Sequence, residues 1–277
     1  MKISNKIYSL VVACVAITLV STSCEDSQYP DPQPVSTPSA LSAKVLFVNA
    51  APDAPALNFF LNNLPAGTGV ATGASTTYNT APVGSVQLKG KAATGNIGGL
   101  LGGADLLFRA GATNNTNFTA VTATNYTFFV TDTLNRAKPT TLGATDPGGL
   151  RFLSVTDNLA APAQGNTHVR FFHLSPNAPA VWVNILDGTK VITSFANRAY
   201  RGISSGAGAT LVNFANFTPI LAGEYTVEVR TGSATGPIAL SIPKVNLGNG
   251  KIYTLFAKGL VRGTGDKALG AGITAHN

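Results

Sequence analysis

Val45-Leu46-Phe47-Val48-Asn49-Ala50-Ala51-Pro52-Asp53-Ala54-Pro55-Ala56 returns later in the chain as Val169-Arg170-Phe171-Phe172-His173-Leu174-Ser175-Pro176-Asn177-Ala178-Pro179-Ala180. Each proline of the first copy has its counterpart 124 positions on. A second pair, Tyr126-Thr127-Phe128-Phe129-Val130 and Tyr253-Thr254-Leu255-Phe256-Ala257, is offset by 127. Two landmarks at nearly one spacing identify two copies of one unit. The period far exceeds the roughly 20–50 residues of solenoid repeats and fits a tandem of small domains.

The periodicity within each copy is that of strands. In Glu224–Arg230, Tyr225, Val227 and Val229 alternate with Glu224, Thr226, Glu228 and Arg230, the period-two pattern of a half-buried strand. Val181, Val183 and Ile185 share one face in the same way. Tyr126–Val130 and Tyr253–Ala257 are rich in aromatic and β-branched residues, which favour strands. Asp187-Gly188, Ala222-Gly223 and Asn249-Gly250 are turn signals. No segment has the length and 3.6 period of a helix. Short strands with frequent turns predict an all-β chain with a sandwich in each copy. The Pro-x-x-Pro pair after a strand in each copy predicts a stiff crossover, because proline cannot donate to a ladder and restricts the residue before it.

The first residues read as a leader. Lys2 and Lys6 precede an apolar run from Ile7 to Val20, too short to span about 30 Å of hydrocarbon as a helix and of the form of a secretory signal. The run ends in Ser21-Thr22-Ser23-Cys24, similar to the cleavage and lipidation site of a bacterial lipoprotein. Cys14 and Cys24 are the only two cysteines, so the body cannot be held by disulfides and Cys24 is free to carry acyl chains. Two or more chains anchor stably, at about 0.8 kcal/mol per buried CH₂. Residues 24–42 hold several prolines and read as a semi-extended tether reaching roughly 50 Å at about 3.1 Å per residue. The expected organisation is a signal peptide at 1–23, lipidated Cys24 and tether at 24–42, a first domain at 43–160, a connector at 161–166 and a second domain at 167–277.

Charged residues make up 11% of the chain, against about 25% in ordinary soluble domains, which suits an exported β-protein. The formal net charge is +7, but the basic residues are scattered. A nucleic-acid site needs a clustered basic stripe, so that class is set aside.

Arg170-Phe171-Phe172-His173-Leu174-Ser175-Pro176-Asn177-Ala178-Pro179-Ala180-Val181 resembles the opening signature of domain of unknown function 4397, a family of bacterial exported and lipid-anchored proteins. Leu221–Val227 and Leu247–Gly259 resemble its later strands, so the likeness covers nearly all of 167–277. The first copy is more divergent, with Asn49 in the place of His173. The resemblance implies two tandem immunoglobulin-like β-sandwiches. It brings no established chemistry and hence no catalytic residue. Trp182 and Asn58 stand where that family often carries an acid.

A search for chemistry finds little. His168 and His173 are five apart, which puts them on opposite faces of a strand, so no metal site is expected. His173 reads as a hydrogen-bonding structural residue and His276 as solvated. No Gly-x-Ser-x-Gly elbow or phosphate-cradling glycine loop is present. A glycosidase would need two carboxylates about 5–10 Å apart among Asp53, Asp105, Asp132, Asp146, Asp157 and Asp187. These acids are few, and most stand beside turns. No cofactor is implied. Trp182 with Phe171, Phe172 and Tyr200 would make a carbohydrate platform if exposed. The Gly-rich stretch Gly95–Asp105 reads as a mobile insertion, or as a contact loop presenting Leu100, Leu101, Leu106 and Leu107 to a partner.

The expectation is a non-enzymatic outer-membrane lipoprotein facing the cell exterior, or alternatively the periplasm. It would serve binding, adhesion or scaffolding, with the membrane and a polysaccharide or protein ligand as partners. The alternatives are an accessory carbohydrate-binding lipoprotein of a polysaccharide uptake system and a purely structural envelope component.

Overall fold

The structure, a computed structural model, describes residues 41–109, 116–140 and 146–277. The expected leader, Cys24 and most of the tether lie outside the described residues. Among the described residues every regular element is a β-strand or a one-turn 3-10 helix. The first half carries β1 (Ser42–Asn49), β2 (Leu57–Leu61), β3 (Leu64–Val70), β4 (Asn79–Pro82), β5 (Gly84–Ala92), β6 (Leu106–Leu107), β7 (Asn117–Ala120), β8 (Asn125–Thr131) and β9 (Arg151–Asp157). The second carries β10 (Asn166–His173), β11 (Val181–Asp187), β12 (Lys190–Arg198), β13 (Ser204–Ser205), β14 (Val212–Asn213), β15 (Thr218–Leu221), β16 (Gly223–Thr231), β17 (Ile238–Leu247), β18 (Ile252–Lys258) and β19 (Gly270–Ala275).

The sequence repeat is a repeat of topology. One sheet of the first half has the order β4-β1-β8-β9, and its counterpart in the second has β15-β10-β18-β19. In both, the strand with the repeated phrase pairs antiparallel with one neighbour and parallel with the strand carrying the tyrosine. Val45 faces Tyr126, and Val169 faces Tyr253. Each tyrosine hydroxyl accepts a backbone N–H five residues upstream, from Val121 and from Gly248, at 3.2 Å. The second sheet of each half is β3-β2-β5-β6, with β7 also on β5, and β12-β11-β16-β17.

Residues 50–56 and 174–180 lead the chain from one sheet to the other, as the proline pairs predict. Side chains hold each crossover the same way. Asn49 donates through Nδ2 to the Pro55 carbonyl, and the His173 ring contacts the Pro179 carbonyl through Nε2. Asp53 accepts the Leu134 N–H at 3.0 Å, and Asn177 accepts that of Val261 at 2.8 Å. Asn177 thus does the work of the aspartate it replaces.

Burial explains the two kinds of strand pattern. On β16 the alternation is as expected, with Tyr225, Val227 and Val229 inside. On β1 and β10 it disappears, and the last five residues of each strand are all buried. Val45 and Phe47 enter a core shared with Leu57, Phe59 and Leu88 of the facing sheet, and Phe47 stacks on Phe59 at 4.5 Å. Val169 and Phe171 enter the equivalent core with Val183 and Val227. The opposite faces of these sheets meet each other. Leu46, Val48 and Phe129 of the first half pack with Phe172, Leu174 and Phe256 of the second. Phe129 lies 5.6 Å from Phe172 and 5.8 Å from Phe256.

Four of the five sheets thus pack through three apolar layers, and β13-β14 forms a separate two-stranded ribbon. Residues 39–277 form one compact unit. Each half has its own core, and a third core joins them.

Candidate functional site

Polar chemistry concentrates at the junction of the halves. Arg170 stands where the first copy has Leu46, on a strand buried on both faces, and it is fully buried. Burial lowers its pKa, while the charge and hydrogen bond of Asp157 oppose the shift. Its Nη2 donates to Asp157 Oδ1 at 2.5 Å and its Nε to Thr254 Oγ1 at 2.8 Å. Its Nη1 reaches the carbonyls of Thr156 and Ala215, and the guanidinium lies 4.3 Å from the Phe217 ring centroid. Asp157 ends β9, so this buried pair ties the halves together.

His276 completes the network and corrects its expected solvation, being 5% exposed. Tyr78 donates to Asp157 Oδ2 at 2.6 Å, so its oxygen accepts from His276 Nδ1 at 2.8 Å. The Nε2 atom then accepts from Thr254 Oγ1 at 2.7 Å. Thr127 also donates to Asp157 Oδ2. One neutral tautomer of His276 satisfies every member. Burial, the largest effect, pulls the His276 pKa down to about 4, with Asp157 opposing and Arg170 adding to the shift. Burial and the neighbouring Asp157 carboxylate push the Tyr78 hydroxyl well above its ordinary value.

A second hub surrounds Asp132, which is 3% exposed and holds a left-handed φ of 71°. It accepts from Arg151 Nε, from Arg201 Nη1 at 3.1 Å and from Tyr200 at 2.7 Å, with Arg136 Nε 3.7 Å away. Arg201 and Tyr200 come from the second half. Arg201 also donates to Thr131 Oγ1 and to the Phe152 carbonyl. Non-glycine residues with positive φ cost about 1–3 kcal/mol and persist where surroundings over-determine them. Four polar partners do so here.

Beside this hub opens a cleft of about 250 Å³ whose polar walls are Arg109, Arg151, Arg201, Asp105 and Asp146. It continues into an open groove past Leu100, Lys89 and Gln87. Burial acts to raise the Asp146 pKa. Hydrogen bonds from Arg136 and the Gly148 N–H, with the Arg136 charge, outweigh that and hold it below its usual value. Asp105 is paired with Lys89 and Lys91. A glycosidase acid needs a raised pKa, and the lowered pKa of Asp146 is the opposite arrangement.

The residues singled out from the sequence are dispersed. Phe171 lies in the second core and Phe172 in the junction, so the four-residue aromatic platform does not assemble. Tyr200 is bound to Asp132. Trp182 is half-buried on the outer face of β11, opposite Arg230 of β16. The Gly95–Asp105 stretch is docked. Its 3-10 turn, Gly99–Leu101, donates from Leu100 N–H to the Leu134 carbonyl at 3.0 Å. Gly99 has φ of 57°, and a Cβ there would collide with Leu134, so only glycine allows this approach. Leu101 and Leu106 are buried, whereas Leu100 is 51% exposed at the groove. No group of three or more potential metal ligands occurs among the described residues.

The sequence pattern did not show that Arg170, Asp157 and His276 meet in one buried network. A signal was present. An arginine inside an unbroken apolar run must meet a buried acid or distort the strand.

No curated protein matches the chain. Among solved structures, the tip fimbrial protein Mfa3 from Porphyromonas gingivalis is 11% identical, with 85% of this chain and 99% of that one covered and a TM-score of 0.22. A leucine-rich repeat protein from Bacteroides thetaiotaomicron is 9% identical, with 80% of this chain covered and a TM-score of 0.19. The chain spans about a quarter of that protein, 26% of its length. The family model described as "Domain of unknown function (DUF4397)" matches residues 43–184, from β1 into β11. The match covers the more divergent first copy and the opening phrase of the second, whereas the sequence resemblance was fullest over 167–277. Spanning just over half of the 277 residues, it shows that the chain belongs to the DUF4397 family.

Proposed function

We propose that this chain is a non-enzymatic binding, adhesion or scaffolding protein of the cell envelope, anchored in the outer membrane through lipidated Cys24 and facing the exterior. In this reading the two halves are tandem immunoglobulin-like sandwiches, carried on a tether roughly 50 Å long at about 3.1 Å per residue. The observation that supports it is the third apolar core with its buried Arg170–Asp157 pair. Domains within a chain ordinarily meet through small polar interfaces and move relative to one another. An aromatic junction locked by a buried ion pair removes that hinge, so the loops and clefts of both halves keep fixed relative positions. Recognition carried by loops on a rigid scaffold needs that constancy.

Two measurements on cells test the reading. Cys24→Ala should move the protein from the membrane to the soluble fraction. Protease added to intact cells should remove the wild-type protein as completely as protease added to lysed cells. Continued membrane association of the variant would refute the anchor. Protection until lysis would place the protein in the periplasm and favour the structural-component alternative.

A further inference from the structure

We infer that the cleft beside Asp132 is a binding site for the carboxylate of an acidic saccharide. Two arginines on the cleft carry unspent donors. Arg151 uses Nε on Asp132, and its two terminal nitrogens make no hydrogen bond among the described residues. Its side chain is 40% exposed, at the cleft. Arg109, half-buried on the same wall, has neither an ion pair nor a hydrogen bond among the described residues. Two guanidinium groups therefore face one cleft with donors to spare. Their planar forks match a carboxylate with two parallel N–H···O bonds.

The charge around the cleft favours an anion. Lys89, Lys91, Arg109, Arg136, Arg151 and Arg201 are six cations, against three carboxylates, Asp105, Asp132 and Asp146. Asp132 is spent on its four partners and Asp146 on Arg136. The excess of positive charge is fixed in a partly enclosed space, where it is screened less than on open surface.

The rest of the lining selects among anions. Asp105 and Asp146, although each is ion-paired, keep lone pairs that accept from hydroxyl groups, which a sugar acid carries and a bare phosphate or sulfate lacks. Leu107 and Pro147 supply apolar wall for a C–H face. Donor forks for a carboxylate, acceptors for hydroxyls and an aliphatic wall together describe a sugar acid. At about 250 Å³ the cleft is below the range of roughly 300–1,000 Å³ typical of drug-sized ligands. It takes one ring. The groove past Leu100 and Gln87 gives a following unit somewhere to lie. Arg201 belongs to the second half and the other lining residues to the first, so the junction supplies part of the cleft wall.

The test is calorimetric titration of the full-length protein in detergent with digalacturonate, with neutral galactobiose and with inorganic phosphate. Digalacturonate should bind and galactobiose should not, and binding should weaken with added salt. Arg109→Gln, at a residue with no described partner, should weaken binding about tenfold, the worth of one charge-assisted fork. Arg151→Lys keeps the charge beside Asp132 and removes the fork, and should also weaken it. Arg230→Gln, on the far sheet, should leave it unchanged. Failure of digalacturonate to bind, equal binding of galactobiose, or full affinity in a folded Arg109→Gln protein would each overturn the assignment. Phosphate binding as tightly as digalacturonate and competing with it would make this a simple anion site and overturn the saccharide.

Discussion

Asp157 and Arg170 are each nearly inaccessible, and neither charge could be tolerated there alone. Removing one partner of such a pair strands the other, at a cost of about 3–5 kcal/mol. Asp157→Asn should lower stability by that amount in urea titrations, whereas adding Arg170→Met to Asp157→Asn removes the stranded charge and should recover part of it, Tyr78 and Thr127 keeping an amide oxygen as acceptor. Equal losses in both proteins would show that the pair is not the reason. Arg198 presents the contrary case. It is 6% exposed, and its Nε and Nη1 have no hydrogen-bond partner. Its guanidinium lies 3.5 Å from the Phe214 ring centroid, and burial lowers its pKa to about 10. Arg198→Met keeps the packing and discards the uncompensated charge, so the unfolding free energy should rise by about 1 kcal/mol after loss of the cation–π contact, read as a higher urea midpoint. A lower midpoint would mean that the guanidinium is satisfied in solution. His276 gives the fold a pH dependence. Its folded pKa of about 4 lies below the ordinary 6.5, so the unfolded chain binds the proton more readily. That contribution is complete above about pH 6.5 and declines as pH falls toward 4. It amounts to about 3 kcal/mol at 1.36 kcal/mol per unit. The groups facing the ring are Tyr78, Asp157, Arg170, Thr254 and Phe217. Burial also lowers the His173 pKa, with the same sign. His276→Gln should therefore reduce, without abolishing, the slope of melting temperature between pH 6.5 and 4, and an unchanged slope would remove His276 from the account.

At the scale of the element, two classes of strand do different work. Outer strands such as β16 alternate because one face meets water. Inner strands β1, β8, β10 and β18 lose the alternation because both faces are covered over most of their length, and the polar residues on them, Thr127, Arg170 and Thr254 among them, are buried. Such strands tolerate little added volume, and β19 shows it. Gly272 pairs directly with Phe256, whose ring lies where a Cβ would be. Two positions earlier, Gly270 has open space, its nearest neighbour being the Ala268 carbonyl oxygen at 3.9 Å. Neither glycine has positive φ, so conformation does not separate them. Gly272→Ala should destabilise by about 1–3 kcal/mol through overpacking, and Gly270→Ala should be close to neutral or slightly stabilising through the unfolded chain. Chemical denaturation of the two variants side by side decides it. Similar effects would show that Phe256 moves aside freely.

At the scale of the whole molecule, the shared core makes the halves thermodynamically dependent. Calorimetry of the full chain should show one transition, with calorimetric and van't Hoff enthalpies equal. A fragment of residues 167–277 would expose Phe172, Leu174 and Phe256 and strand Arg170 without Asp157. It should melt well below the intact protein or associate. Two separated transitions, or a fragment as stable as the whole, would mean that the third core contributes nothing.

The sequence by itself determined the strand character, the repeated phrase and the crossovers. Each rests on local chemistry, namely side-chain alternation, proline's missing donor and a phrase that repeats. The resemblance to DUF4397 was legible for the same reason, since it is carried by contiguous motifs. Tertiary structure alone decided that the two units lie sheet against sheet, that Arg170 meets Asp157, that the terminal His276 is interior, and that Arg109, Arg151 and Arg201 open onto one cleft. The doubled burial of Val45–Asn49 was written in its unbroken apolar run. The surface that covers its second face comes from more than 120 residues away. Which distant surfaces meet depends on the summed burial of both halves, a quantity that no local pattern contains.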